Sequence, residues 1–306
     1  MLGCVFCRGA IAITNSSRHL IAEVRVFIQD AVGTGLRSTG DEKQGTVVNA
    51  EEIFAKEREQ RVHSFASEPT LNSLAHDWVF HSMQQKYLYN FDWLGRPIIQ
   101  YPEDMVAVQE LVWKIRPTLI IETGIAHGGS LVLSASMLAL LDYCEAVEQG
   151  EVLDPAASRR RVIGIDIDIR SHNRTAIESH PLSGMITMVE GSSIEDATVD
   201  QVRRLAAGHD RVMVFLDSNH THDHVLQELR SYGTMTSVGS YCVVFDTFVE
   251  DMPPRYFPDR PWDKGNSPKT AVHEFVAQDD RFEIDRSIDQ KLLITVAPSG
   301  YLKRVK

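Results

Sequence analysis

From residue 103 onward the chain alternates between short continuous apolar runs and longer segments of helical period. A helical stretch at 103–115 stops near Pro117, and an apolar run at 118–122 leads into a glycine-rich loop and an apolar helix at 131–142. The cycle then repeats. Strands are predicted at 162–166, 186–190, 212–217 and 241–246, alternating with helices near 172–179, 198–207 and 222–232. After an irregular segment at 247–267 come a helix near 268–277 and two strand candidates, 281–285 and 291–296. Strands that are apolar throughout belong inside a parallel sheet with helices on both faces. Five β/α units and two terminal strands predict a doubly wound, mainly parallel α/β sheet of seven strands with an antiparallel edge pair.

The chain before residue 103 reads differently. Residues 51–89 look helical, with Leu71, Leu74, Trp78 and the run 80–83 as an apolar stripe that either covers the core or builds an oligomer contact. Tyr87, Tyr89, Phe91 and Trp93 precede Gly95 and Pro97, which marks an aromatic loop. That loop either packs arm against domain or walls a ring-shaped, sugar-like substrate. Residues 1–50 show no sustained periodicity, and Gly, Ser and Thr cluster at 33–35 and 38–40. The apolar stretch 10–13 is too short for a signal sequence. The expected organisation is therefore a poorly structured extension at 1–50, a helical arm with the aromatic loop at 51–102, and a catalytic domain at 103–306.

Composition narrows the function. Lys plus Arg number 31 and Asp plus Glu 42, for a net charge of −11. Such a chain is a poor candidate for binding nucleic acid through a basic face. No continuous apolar run approaches the roughly 20 residues of a transmembrane helix. Cys4, Cys7, Cys144 and Cys242 make no disulfide framework, and Cys4-x-x-Cys7 lacks the second pair of a zinc site. Reduced thiols suit a cytoplasmic protein.

The candidate chemistry lies where the strands end. Glu122, Asp166, Asp217 and Asp246 each close a strand, with Glu190 similar on the remaining one. Ligands of open α/β sheets bind beyond the carboxyl ends of the strands, so these acids are expected along one rim. Glu122-Thr-Gly-Ile-Ala-His-Gly-Gly-Ser130 matches neither G-x-G-x-x-G nor a P-loop. With Asp166 as a ribose acceptor it suggests an adenosine-type ligand without a pyrophosphate cradle. Asp217-Ser-Asn-His-Thr-His-Asp-His224 places a carboxylate suited to a hard cation beside His220, a candidate general base. Three histidines in this short stretch also raise a zinc reading, which the carboxylate partners disfavour. Asp217 and Asp246 share one ion if their strands are adjacent. Glu250 and Asp251 are a second ligand source or a solvated face. Residues 251–269 carry five prolines with Tyr256, Phe257 and Trp262, and read as a structured lid over the same rim.

Five stretches resemble the cephalosporin hydroxylase family: 90–100, 120–130, 163–168, 215–222 and 243–247. The resemblance spans roughly 75–305 and leaves the first fifty residues outside. It implies the Rossmann-like fold of class I S-adenosylmethionine-dependent methyltransferases, with relatives among Mg²⁺-binding macrolide-sugar O-methyltransferases. By that resemblance Glu122, Thr123, Gly124, His127, Gly128, Ser130, Asp166, Ser193 and Asp217 surround S-adenosylmethionine. Asp217 and Asp246 hold the metal, and His220 is the base. Metal-binding relatives carry Glu-Asp at the end of the fifth strand, where this chain has Phe245-Asp246.

The expected function is an S-adenosylmethionine-dependent O-methyltransferase, Mg²⁺-assisted, acting on a hydroxyl of a sugar or glycosylated small molecule. A homo-oligomer is expected. The rivals are a metal-dependent hydroxylase of a small natural product and a non-catalytic binding protein that kept the fold.

Overall fold

The computed structural model describes residues 49–306. Cys4, Cys7, the apolar stretch at 10–13 and the loop clusters at 33–40 lie outside the described residues. Two helices come first, α1 (Ala50–Phe65) and α2 (Pro69–Gln84), separated at 66–68 just before a proline that starts the second. The apolar stripe expected here is out of phase. Helix α2 buries Ala75, Val79 and Ser82, while Leu74 and Trp78 stay exposed. A small hairpin follows, β1 (Phe91–Trp93) and β2 (Arg96–Ile98), turning at Leu94 and Gly95, both at positive φ.

The main sheet has seven strands in the order β5-β4-β3-β6-β7-β9-β8. Its parallel members are β3 (Leu119–Thr123), β4 (Arg161–Asp166), β5 (Ile186–Glu190), β6 (Val212–Leu216) and β7 (Tyr241–Val244). The antiparallel edge pair is β8 (Phe282–Ile284) and β9 (Tyr301–Arg304). Strand order reverses at β3, the first strand, whose neighbours are β4 and β6. A crevice opens at such a switch point.

Helices cover both faces: α3 (Pro102–Ile115), α4 (Gly129–Gln149), α5 (Ser171–Glu178), α6 (Asp196–Ala206), α7 (His222–Tyr232), α8 (Pro268–Gln278) and α9 (Arg286–Leu292). Alternate residues of one strand serve opposite cores. Ile120 faces a cluster with Leu131, Leu138 and Tyr301, whereas Leu119 and Ile121 face one with Leu226, Leu229 and Val272. Residues 53–306 form one compact unit.

Two sequence expectations need correction. The final strand is not 291–296 but β9. The apolar run instead completes α9, capped by the Asp285 side chain, and continues through the buried Thr295, Val296 and Ala297. A local propensity for strand loses there to an N-capped helix, while the true strand is short and carries Lys303 and Arg304. The apolar helix at 131–142 is longer than its apolar run. By length and composition α4 could cross a membrane, although no continuous apolar run spans it. Half of its most apolar window is buried, with Leu131, Val132, Leu133, Leu138 and Leu141 in the core.

Candidate functional site

Backbone geometry fixes the floor of the crevice. Gly124 sits at φ +93°, and a β-carbon there would lie 2.1 Å from the carbonyl oxygen of Asp217. Only glycine lets the loop after β3 press against the loop after β6. Gly129 makes a similar approach to Pro97, where a β-carbon would meet the carbonyl oxygen at 2.2 Å. The hairpin is thereby docked against the start of α4. Arg96 completes the joint, its Nε donating to the carbonyl of His127 at 3.0 Å.

Asp166, at the end of β4, accepts from the amides of Ile125 and Ala126 through Oδ2 at 2.9 and 3.4 Å. Its Oδ1 accepts from the amide of Asp168 at 3.1 Å. This acid therefore shapes the glycine-rich loop. Glu122 is buried within β3 and points beneath the crevice, where it lines a chamber of about 20 Å³ with Asp104, Gln100 and Asp217. Burial pushes its carboxyl up to about 7, partly offset by hydrogen bonds from Ser130 and Ser134. The same cause takes Asp104 to about 6. Thr123 is fully buried, its carbonyl accepting the Asp217 amide at 2.9 Å.

The crevice opens into a cavity of about 780 Å³. Gly124, His127 and Ser130 line one part of it, and Asp217, His220 and Asp246 another. Asp217 follows β6 directly. Asp246 lies two residues beyond the end of β7, in a left-handed conformation (φ +55°) that aspartate tolerates better than most residues. Its Oδ2 stands 3.0 Å from Nε2 of His220. Asp217, His220 and Asp246 offer ligand atoms all within 4.8 Å of one another. Burial raises the Asp217 carboxyl well above its ordinary range, and Asp246, Glu122, Glu228 and Asp104 add to the shift. A buried carboxylate repelled by its neighbours is stabilised by a divalent cation, and an all-hard carboxylate pair suits Mg²⁺. The residues present therefore fit such an ion. Phe245, beside Asp246, is buried and packs edge-on against Phe215 at 6.0 Å.

The three neighbouring histidines separate completely. His220 faces Asp246. His222 contacts Thr270 at 2.8 Å and Glu274 at 3.1 Å. His224 contacts Ser193 at 3.0 Å and Ser218 at 3.2 Å, and stands 3.5 Å from Glu228. The zinc reading fails on this divergence, as does a two-His-one-carboxylate iron site: the cluster has one histidine and two carboxylates. Ser193, expected at the cofactor, packs against α7 instead, its carbonyl accepting from Tyr232. It does not line the cavity, nor do Thr123, Gly128, Asp166 or Glu122.

The lid at 251–267 closes over this floor. Pro253, Pro254, Arg255, Tyr256, Phe257, Arg260 and Trp262 line the cavity. Trp262 stands edge-on to His220 with ring centroids 4.5 Å apart. Glu250, expected as a ligand or a solvated face, does neither. Its Oε2 accepts from the amide of Gly265 at 2.8 Å and the hydroxyl of Ser267 at 2.7 Å, tying the lid's far end to its start. The aromatic loop divides between cavity and core. Leu88 and Tyr89 line the cavity, while Tyr87, Phe91 and Trp93 pack on the core. Gln100 was not among the expected site residues, yet its Nε2 donates to Oδ2 of Asp217 at 3.3 Å. Its place at the end of the motif at 90–100 was the only signal for it.

Comparison with known proteins identifies a family. The profile described as rhamnosyl O-methyltransferase/CmcI matches residues 85–305. A rhamnosyl O-methyltransferase of Mycobacterium tuberculosis is 28% identical over 212 residues, covering 66% of this chain and 73% of that protein. One of Mycobacterium leprae is 25% identical over 216 residues, covering 69% and 82%. A solved structure of CmcI with Mg and S-adenosylmethionine aligns at a TM-score of 0.48 and 18% identity, covering 71% of this chain and 78% of that one.

Proposed function

This chain belongs to the rhamnosyl O-methyltransferase/CmcI family and is an S-adenosylmethionine-dependent O-methyltransferase; from that premise we propose that it methylates a hydroxyl of a sugar-containing small molecule with His220 as general base. The observation that carries this reading is the contact of His220 with Asp246 inside the cavity that Gly124, His127 and Ser130 also line. An imidazole held by a carboxylate keeps one ring nitrogen oriented and gains stability when it accepts a proton.

His220 takes the hydroxyl proton of the acceptor as the new carbon–oxygen bond forms and the donor's methyl–sulfur bond breaks, with the thioether S-adenosylhomocysteine as leaving group. Asp246 holds the imidazole and offsets the charge it acquires. Gly124, His127 and Ser130 orient the methyl donor, with Asp217 at the boundary between donor and acceptor. Trp262 fixes the position of the imidazole and excludes water from that side. Asp217 and Asp246 are the carboxylates that would hold Mg²⁺. When bound, the cation supplies orientation of the acceptor oxygen and a lowered pKa for its hydroxyl. The chief contribution of the fold is in-line placement of two reactants. A cytoplasmic homo-oligomer belongs to the same reading, on the strength of the buried thiol of Cys242 and the exposed Leu74 and Trp78.

Calorimetric titration with S-adenosylmethionine, with and without Mg²⁺, tests the reading. Donor binding is expected in both cases, and methyl transfer to a sugar hydroxyl is expected to rise with Mg²⁺. A folded chain that binds no donor defeats it.

A further inference from the structure

We propose that the acceptor carries a phosphate or diphosphate group, gripped by Arg255 and Arg260 of the lid together with Lys86 of the loop after α2. The inference rests on the methyltransferase reading and deepens it by naming the acceptor's chemical class.

The cavity is electrically divided. Its floor holds Asp217 and Asp246, and its other walls carry Lys86, Arg255 and Arg260. Several other cations of this acidic chain are paired with carboxylates: Lys269 with Asp251, Arg160 with Asp142 and Glu145, Arg174 with Glu190. The three on the cavity wall form no such ion pair with any carboxylate among the described residues.

The lid also presents its arginines from fixed points. Arg255 occupies a left-handed conformation (φ +63°), and its amide donates to both carboxylate oxygens of Asp263 at 2.8 and 3.0 Å. That strain is retained only because the loop over-determines it. The Arg260 guanidinium lies over Trp262 at 5.2 Å from the ring centroid, and the same indole touches His220. One positive charge thus sits a single aromatic ring away from the proposed base. Guanidinium forks match phosphate oxygens in pairs, and phosphate carries up to two negative charges near neutral pH. A sugar hydroxyl accepts from such donors without balancing their charge, whereas a phosphate does both.

Inorganic pyrophosphate is the probe, titrated into the full-length protein in chelator so that no metal takes part. The wild type is expected to bind it, less tightly as salt rises. The double variant Arg255→Gln/Arg260→Gln is expected to bind it at least tenfold more weakly while S-adenosylmethionine affinity stays within twofold. Retained donor binding reports that the variant is folded. Three results overturn the proposal: donor-binding wild type that ignores pyrophosphate; malonate bound as tightly as pyrophosphate, which assigns the cations to a carboxylate; or a double variant that loses donor affinity and keeps pyrophosphate. Failure of the methyltransferase reading looks different, since the wild type then binds no donor at all.

Discussion

The floor of the cavity and its lid are built on opposite physical plans. The floor is a set of strand ends locked by parallel pairing and by glycine contacts that leave no room for a methyl group. Its acids are half-buried over the fully buried Glu122, and desolvation raises Glu122 and Asp217 above their ordinary carboxylate range. The lid is a proline-bearing loop whose arginines are exposed and whose shape comes from a few side-chain clasps. Chemistry sits where atoms are fixed and recognition sits where sequence can vary, the usual division between scaffold and loops.

That contrast can be broken at the base first. His220→Ala should lower kcat by about 10²- to 10⁴-fold, the range for loss of a general base, with donor affinity nearly unchanged. Single-turnover transfer checks it, and normal turnover would remove His220 from the mechanism. The next effect concerns Glu122. Its folded-state carboxyl sits at about 7 against an ordinary 4.5, so the native state holds the proton more tightly than the unfolded chain. The associated stability is fully present below the ordinary value and is lost as pH rises through about 7. The loss is on the order of 3 kcal/mol at the pH-metric equivalence of pKa and free energy. Urea midpoints of the donor-free, metal-free protein at pH 5 and pH 8 should differ strongly in the wild type and less in Glu122→Gln. Equal differences would show that the Glu122 carboxyl is not the raised group. The smallest effect belongs to the lid. Trp262→Ala should raise the acceptor KM by about fivefold, roughly 1 kcal/mol for one aromatic contact, and leave the urea midpoint within experimental scatter. A marked fall in midpoint would mean the lid helps hold the floor together.

The parallel core was legible because continuous apolar runs have one stable home, and of the four acids expected along one rim Asp217 and Asp246 line the cavity. Asp217, His220 and Asp246 converge as expected because β6 and β7 are neighbours. Less legible was the use of each acid. Asp166 satisfies loop amides and Glu122 turns under the sheet, and side-chain direction at a strand end depends on register that a linear reading cannot supply. Ser193 and His224 find each other across β5 and α7 for the same reason. The terminal strand was misplaced because a short, mostly apolar stretch does not say whether it will be paired or capped. The lid was visible as a loop, but its clasp through Glu250 is a contact with Gly265 and Ser267 across the loop, and only folding reveals it.

That clasp has an evolutionary consequence. A loop tied at its neck behaves as a cassette: what lies between Glu250 and Gly265 can be lengthened, shortened or rewritten while the knot keeps its ends in place, since longer loops cost little extra closure entropy. Descendants of this fold could therefore change guests by rewriting one short stretch of chain, as long as Trp262 keeps its place against His220.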